Sequence, residues 1–582
     1  MRKLPTPFIL PSFILLGSFF LFQFASYNKN LIRDWSLDNI PMCSGYAPAF
    51  KFHDLPPAIL MDGIGNSHLQ VTTRNEMAQK FFDQGINHLH SFWDVEAYRA
   101  FREAIKHDPN CAMAYWGLYK SITQTAKEMQ EEKTAALKKA IELSVNASDR
   151  ERRFIKATQL QVEKGKDAFM EEMDALIDAY PDEVEAKLFL ATALSTSVST
   201  YDPEGRPKPG KVYGQMILQE LLHTHPNLAA AHHYWIHAVE NGPNPERALE
   251  SADKIASMAP NSGHMTHMPG HIYYRIGKYD KAYDAFIYSM TVDSLYMTSQ
   301  AMNPINNWNF THNVDYLVAS CAENGQYQEA MKWARQLSEL PVDKGRLMAG
   351  GLAYILFGAH TAVPRLQMRF QEWAAAAKSI EMQLKKDPTL SSLAMDYYKG
   401  MMFYALGMNA IIENNALEAG TQLEKLNIIL QKLEAIKQVE LGADWYFSYA
   451  RKILQVNYKE LEGSISSIKG DHEKAIQLLK EAANDEKNIG YWEPPHYTRP
   501  VLETLGQAYI RAGNLDAAID AFNGALKLRP KNGHSKYAMA QAYKALGNKA
   551  QAKQAFNDFL ITWPNADKDL KMMAIAHKHV SN

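Results

Sequence analysis

From Arg499 to Pro530 the chain reads RPVLETLGQAYIRAGNLDAAIDAFNGALKLRP. Leu502, Leu505, Gly506 and Tyr509 recur at the three- and four-residue intervals that line up one face of a helix. Gly513 turns the chain, and Ala518, Phe522 and Ala525 line a second helix. Pro530, which cannot continue a helix, ends it. The next unit repeats the pattern with Tyr543, Gly547, Ala552, Phe556 and Pro564. Pro530 and Pro564 are 34 residues apart, as are Pro226 and Pro260. The pattern predicts helix–turn–helix units in an array.

Earlier units follow the same pattern less regularly. The first covers about Glu76–Pro109, and a second begins at Cys111, with degenerate helix pairs filling the rest of 112–181. Pro181 to Pro226 is 45 residues; the excess is a Pro- and Gly-rich loop over 197–211. Two regular units come next, then an irregular connection, Asp293–Asn309, and a unit containing Gly325 and Ala330. Further pairs near 357–388, 391–436 and 458–485 lead to the C-terminal pair. The expected organisation is an array with a His-rich groove over 73–343, degenerate pairs over 344–486, a regular pair over 487–567 and a capping helix or tail over 568–582. The period and residue types resemble the tetratricopeptide repeat. That resemblance implies an all-α, right-handed solenoid of about ten to twelve helix pairs.

Ahead of the array, Arg2 and Lys3 precede an apolar run, Phe8–Ala25, and residues 27–72 are irregular. The run predicts a secretion signal or membrane anchor within 1–26, with the rest of the chain exported, periplasmic or anchored facing away from the cytoplasm. The formal net charge of −2 and 22% charged residues give no sign of a nucleic-acid partner. Cys43, Cys111 and Cys321 are too few and too scattered for a disulfide framework or a thiolate zinc site.

Histidine changes the picture. His233 and His267 are 34 residues apart, and so are His237 and His271; within each helix the rings are spaced i, i+4 on one face. Alignment to the Arg499 unit puts His232 among packing residues and His233 and His237 on the opposite face, which lines the concave groove in such solenoids. His264, His267 and His271 share that face. The offset of 48 residues between Gly277 and Gly325 carries His312 and Asp315 to the positions of His264 and His267. Six imidazoles and a carboxylate, with no thiolate, suit Zn, Fe, Cu, Mn or Ni, and more than four donors leave room for one or two ions. A polar groove rich in neutral histidines is the alternative. Pro269 in HMPGH either kinks this helix or marks its start.

These motifs resemble a family of bacterial tetratricopeptide-repeat proteins through GINHLHSFWDVEAYRAFREAIKHDPNCAMAYWG, HHYWIHAVE, GHMTHMPGHIYYRIGKY, THN, MRFQEW and YWEPPHYTRPVLETLG. Similar proteins tend to carry histidine where this chain has Asp315, and glycine within the stretch occupied here by Gln371-Glu372. The resemblance implies the fold and no established activity. His90, Trp492 and Glu493 are further candidates to line the groove. No phosphate loop, GxSxG elbow or HExxH motif is present. Two functions fit: an exported solenoid with a metal centre, catalytic or not, facing a small-molecule or protein ligand, or a metal-free scaffold that takes a protein or peptide in its groove.

Overall fold

The computed structural model describes residues 55–123, 127–195, 200–202, 204–300, 307–340, 356–386, 392–436, 444–495 and 497–581. All belong to the compact unit Ala49–Asn582. The apolar run over 8–25 lies outside the described residues, and among those described no helix is long and apolar enough to cross a membrane.

The described residues form antiparallel helix pairs. They are α1 (Glu76–His90) with α2 (Asp94–His107), α3 (Ala112–Ser121) with α4 (Lys127–Leu143), α5 (Asp149–Lys164) with α6 (Lys166–Ala179), and α7 (Val184–Ser195) with α8 (Lys211–Thr224). The central pairs are α9 (Ala229–Val239) with α10 (Leu249–Met258), α11 (Gly263–Arg275) with α12 (Tyr279–Gln300), and α13 (Trp308–Glu323) with α14 (Tyr327–Ser338). There follow α15 (Ala362–Arg369) with α16 (Trp373–Lys386), α17 (Ser392–Ile412) with α18 (Ala416–Glu434), and α19 (Asp444–Ile468) with α20 (His472–Ile489). The last pairs are α21 (Val501–Arg511) with α22 (Leu515–Leu528) and α23 (Gly533–Ala545) with α24 (Lys549–Thr562), closed by α25 (Lys571–Ser581). The fold is thus all-α, as the period predicts.

Three of these pairs share a recurring small-to-large contact. Gly85 faces Phe101, Gly270 faces Phe286 and Gly506 faces Phe522, each 16 residues apart; a Cβ on the glycine would sit 2.6, 2.4 and 2.5 Å from the ring. The three phenyl rings are fully buried, and burial of a side chain that size contributes about 1.5–3 kcal/mol. Polar N-caps start the helices: Asn75 accepts from Met77 and Ala78, Ser262 from Met265, and Asn307 from Phe310.

One expectation needs correction, and one open choice is decided. The stretch from Asp293 to Gln300, expected to be irregular, continues α12. Tyr296 and Met297 stay buried at i+3 and i+4 from Asp293, so the helical period runs on through its polar residues. Pro269 is seventh in a helix of 13 residues, well inside it and not at its start. The Met265 carbonyl therefore has no amide donor at position 269.

Long-range contacts bring both ends of the described chain onto the middle. From the N-terminal side, Arg99 reaches Gln300 and Glu96 accepts from the Tyr296 hydroxyl. From the C-terminal side, Trp563 donates to the Glu323 carbonyl and Tyr279 donates to that of Pro530. A buried ionic network ties the same regions together: Arg369 bonds Glu323, Glu503 and Asn532, while Arg529 bonds Glu323. Burial pushes the Glu503 carboxyl up, but Arg369 and Arg499 hold it well below the usual carboxylate range.

Candidate functional site

Three helices carry the histidines: α9 supplies His233 and His237, α11 supplies His264, His267 and His271, and α13 supplies His312. The rings form one contiguous cluster, with centroids 4.8 Å apart for His233–His237, 4.9 Å for His233–His264, 5.8 Å for His264–His267, 4.5 Å for His267–His271 and 4.8 Å for His267–His312. Two triads emerge, His233/His237/His264 and His267/His271/His312. Within each, one ligand atom per residue lies within 4.8 Å of the others. All six predicted imidazoles therefore converge.

Hydrogen bonds decide which nitrogen each ring presents. His233 Nδ1 must donate to the His90 carbonyl, 2.6 Å away, because a carbonyl can only accept. His237 Nδ1 and His271 Nδ1 donate to the two oxygens of the Glu240 carboxylate, at 2.5 and 2.6 Å. His267 Nδ1 donates to Asn313 Oδ1 at 2.6 Å, and His264 Nδ1 faces Asn309 Oδ1 at 3.3 Å. The two amides cannot be turned over, since Asn309 Nδ2 and Asn313 Nδ2 both donate to Asp293 Oδ2 and to Ser289 Oγ. With Nδ1 protonated, each of these five rings offers a bare Nε2 lone pair to the interior. Those of His233, His237 and His264 are buried with no protein partner. Those of His267 and His271 face each other at 2.5 Å, a contact that calls for a shared proton or a metal cation between the two nitrogens.

Burial favours the neutral form, the one that binds metal, in His233, His264, His267, His271 and His312. It pulls His233, His264 and His267 well below the ordinary histidine value, with neighbouring rings adding to the effect. His312 falls to about 3 for the same reasons, burial first and then His271. His271 is lowered by burial and partly restored by Glu240. The two carboxylates diverge. Burial raises Glu240, but His237 and His271 outweigh it and leave the group ionised; burial and the adjacent Glu240 push Glu493 well above its ordinary value.

The site is enclosed, unlike the open groove expected for this face. Phe92, between α1 and α2, stacks over His233, His237 and His264 at 4.8, 5.4 and 5.5 Å. Trp308 packs on His264 at 5.0 Å. Glu493 closes the other side, with Oε2 3.4 Å from His271 Nδ1 and 3.9 Å from His312 Nε2. Among the histidines and carboxylates of the site, the side chains of His237, His312 and Glu493 keep the most exposure, 13, 17 and 17%.

The other predicted residues divide. Glu493 belongs to the site and forms a third close group with His237 and Glu240. Asp315 does not: its carboxylate pairs with Arg365 at 3.0 Å and lines a separate small cavity of about 50 Å³ with Tyr274, Arg369 and Arg529. A guanidinium one repeat further on competes for the oxygen that was expected to face the metal. His90 is buried, its ring held by Glu185 and Tyr234, and it contributes through its carbonyl. Trp492 packs on Tyr449 at 4.9 Å. His232 is the packing residue the alignment expects, bonded to Ser251 and the Pro226 carbonyl. Glu240, Asn309, Asn313, Asp293 and Phe92 went unseen in the sequence. Of these, Glu240 alone had a local signal, three residues after His237 on the same helix face.

The sequence profile of the tetratricopeptide repeat matches residues 509–562. No curated protein sequence matches the chain. Among solved structures, yeast Tom70 aligns at 14% identity and a TM-score of 0.27, covering 86% of this chain and 95% of its own. The Cut9–Hcn1 hetero-tetramer of the APC/C aligns at 13% and 0.24, covering 87 and 96%. The human IFIT1 dimer with m7Gppp-AAAA aligns at 12% and 0.32, covering 77 and 90%.

Proposed function

We propose that this tetratricopeptide-repeat protein is an exported scaffold that binds a protein partner and holds a transition metal in its histidine chamber. Partner binding is what a solenoid of such repeats is suited to, and the repeat match supports it. Export rests on the basic start and the apolar run at Phe8–Ala25. The metal reading is carried by one observation: five rings whose Nδ1 atoms have acceptors leave their Nε2 atoms free for the two adjoining, largely buried histidine triads. Each ring has the outer hydrogen-bond partner that metal-ligating histidines need to fix their tautomer. Imidazole donors with flanking carboxylates suit copper, zinc, iron or manganese, and His312, with its residual exposure, is where a small ligand would reach the ion.

The test is elemental analysis of the purified full-length chain, after reconstitution, beside His267→Ala and His271→Ala. Stoichiometric metal that falls in both variants supports the reading. A native chain without metal after reconstitution rejects it and leaves a metal-free scaffold, in which the same rings form a polar core.

A further inference from the structure

Resting on that reading, we infer that the chamber takes two monovalent copper ions, one on each histidine triad, as a pair joined through Glu240. Three features of the site carry this.

The first is the number of donors. Each triad gathers three ligand atoms within 4.8 Å of one another, and the triads adjoin: His264–His267, across the boundary, are 5.8 Å apart at their centroids, much as His237–His264 (5.9 Å) and His271–His312 (5.8 Å) are within a triad. Two three-nitrogen sites lie side by side. Three histidines hold zinc only with a fourth ligand such as water, whereas copper(I) is satisfied by three neutral nitrogens alone.

The second is charge. The ligand atoms are uncharged imidazole nitrogens. The carboxylates in contact with the rings are Glu240 and Glu493, which supply at most two negative charges. Two monovalent cations are the most that this pair can neutralise. Two divalent cations would leave an excess of two positive charges among side chains that are nearly all buried, and unpaired buried charge is strongly disfavoured.

The third is the joint itself. Glu240 gives Oε1 to His237 and Oε2 to His271, so each oxygen orients a ring from a different triad. One carboxylate thereby tunes both sites.

The experiment titrates the full-length chain in detergent, anaerobically, with Cu(I) against bicinchoninate, and separately with Zn(II) against a zinc-binding dye. The expected result is two Cu(I) per chain, held at least tenfold more tightly than Zn(II). His264→Ala and His312→Ala should each keep one Cu(I), and Glu240→Gln should keep two with both weakened about 10- to 100-fold. Circular dichroism checks the fold, and His264→Gln and His312→Gln replace any alanine variant that unfolds. A single Cu(I) per chain, or loss of both ions from one triad variant, overturns the pair while metal binding stands. Zn(II) bound more tightly than Cu(I) overturns the charge argument alone. Binding of neither metal rejects this inference and the metal reading together.

Discussion

Gly263→Ala is the substitution that probes the site most cleanly, because it touches no ligand. A Cβ at position 263 would fall onto Asp293 Oδ1 and 2.7 Å from its Cγ. That carboxylate is not free to swing. It is 1% exposed, and its Oδ2 holds Asn309 Nδ2 at 2.7 Å and Asn313 Nδ2 at 3.3 Å. Displacing it breaks both bonds at about 1 kcal/mol each, with about 1–3 kcal/mol more for a buried polar group left unpaired. Alanine's higher helix propensity returns at most about 1 kcal/mol. The net expectation is a loss of about 2–4 kcal/mol. The freed amides also stop orienting His264 and His267, so metal affinity should drop about tenfold or more. Urea-unfolding midpoints and metal titrations measure the two effects. A double-mutant cycle isolates the cause: with Asp293→Ala the obstruction is gone, and Gly263→Ala should then cost under about 1 kcal/mol. Equal costs in both backgrounds, or a wild-type midpoint for the single variant, would refute the reasoning.

Arg369→Met should destabilise the chain by about 3–5 kcal/mol, because Glu323 and Glu503 lose a shared buried partner; urea midpoints measure it. Burial raises the Glu486 carboxyl from 4.5 to about 7. Its contribution to stability is full below pH 4.5, where both states are protonated, and is lost as pH rises toward 7 and the unfolded state alone ionises. Glu486→Gln should match the wild type at pH 4.5 and exceed it by up to roughly 3 kcal/mol at pH 8; equal midpoints at both pH values would contradict this. Gln371 holds a left-handed backbone, φ 62°, so Gln371→Gly should raise stability by about 0.5–1 kcal/mol. Phe92→Ala should open the chamber and expose His233, His237 and His264 to diethylpyrocarbonate, with mass spectrometry reading the modified rings; protection equal to the wild type would mean Phe92 is no cover.

What could be seen in the sequence was whatever repeats. Gly270 and Phe286 recur as Gly506 and Phe522 because the contact inside a pair is the same each time. The six rings fell into register for the same reason. What escaped depends on chain segments far apart in sequence. The His90 carbonyl lies 143 residues from the His233 ring it holds, and Asp315 turns to an arginine 50 residues away. No period reports such pairings, because they follow from how distant repeats meet. Asp293 escaped for a simpler reason: polar residues around it looked like a connection, although every third or fourth position was apolar. Glycine's usual place near Gln371 was noticed as a family difference, and the left-handed backbone there supplies its physical reason.

Glu493 is the last part of the chamber to be made. It follows His312 by 181 residues, which at roughly 5–20 residues per second takes about 10–35 s of synthesis. Throughout that interval the growing chain carries all six rings but not the carboxylate that covers them. The finished chamber therefore records that translation has run past α20. A fragment ending at Ile489 would keep all six chamber histidines and leave the interior open on that side, so the rate at which metal leaves would distinguish truncated chains from complete ones.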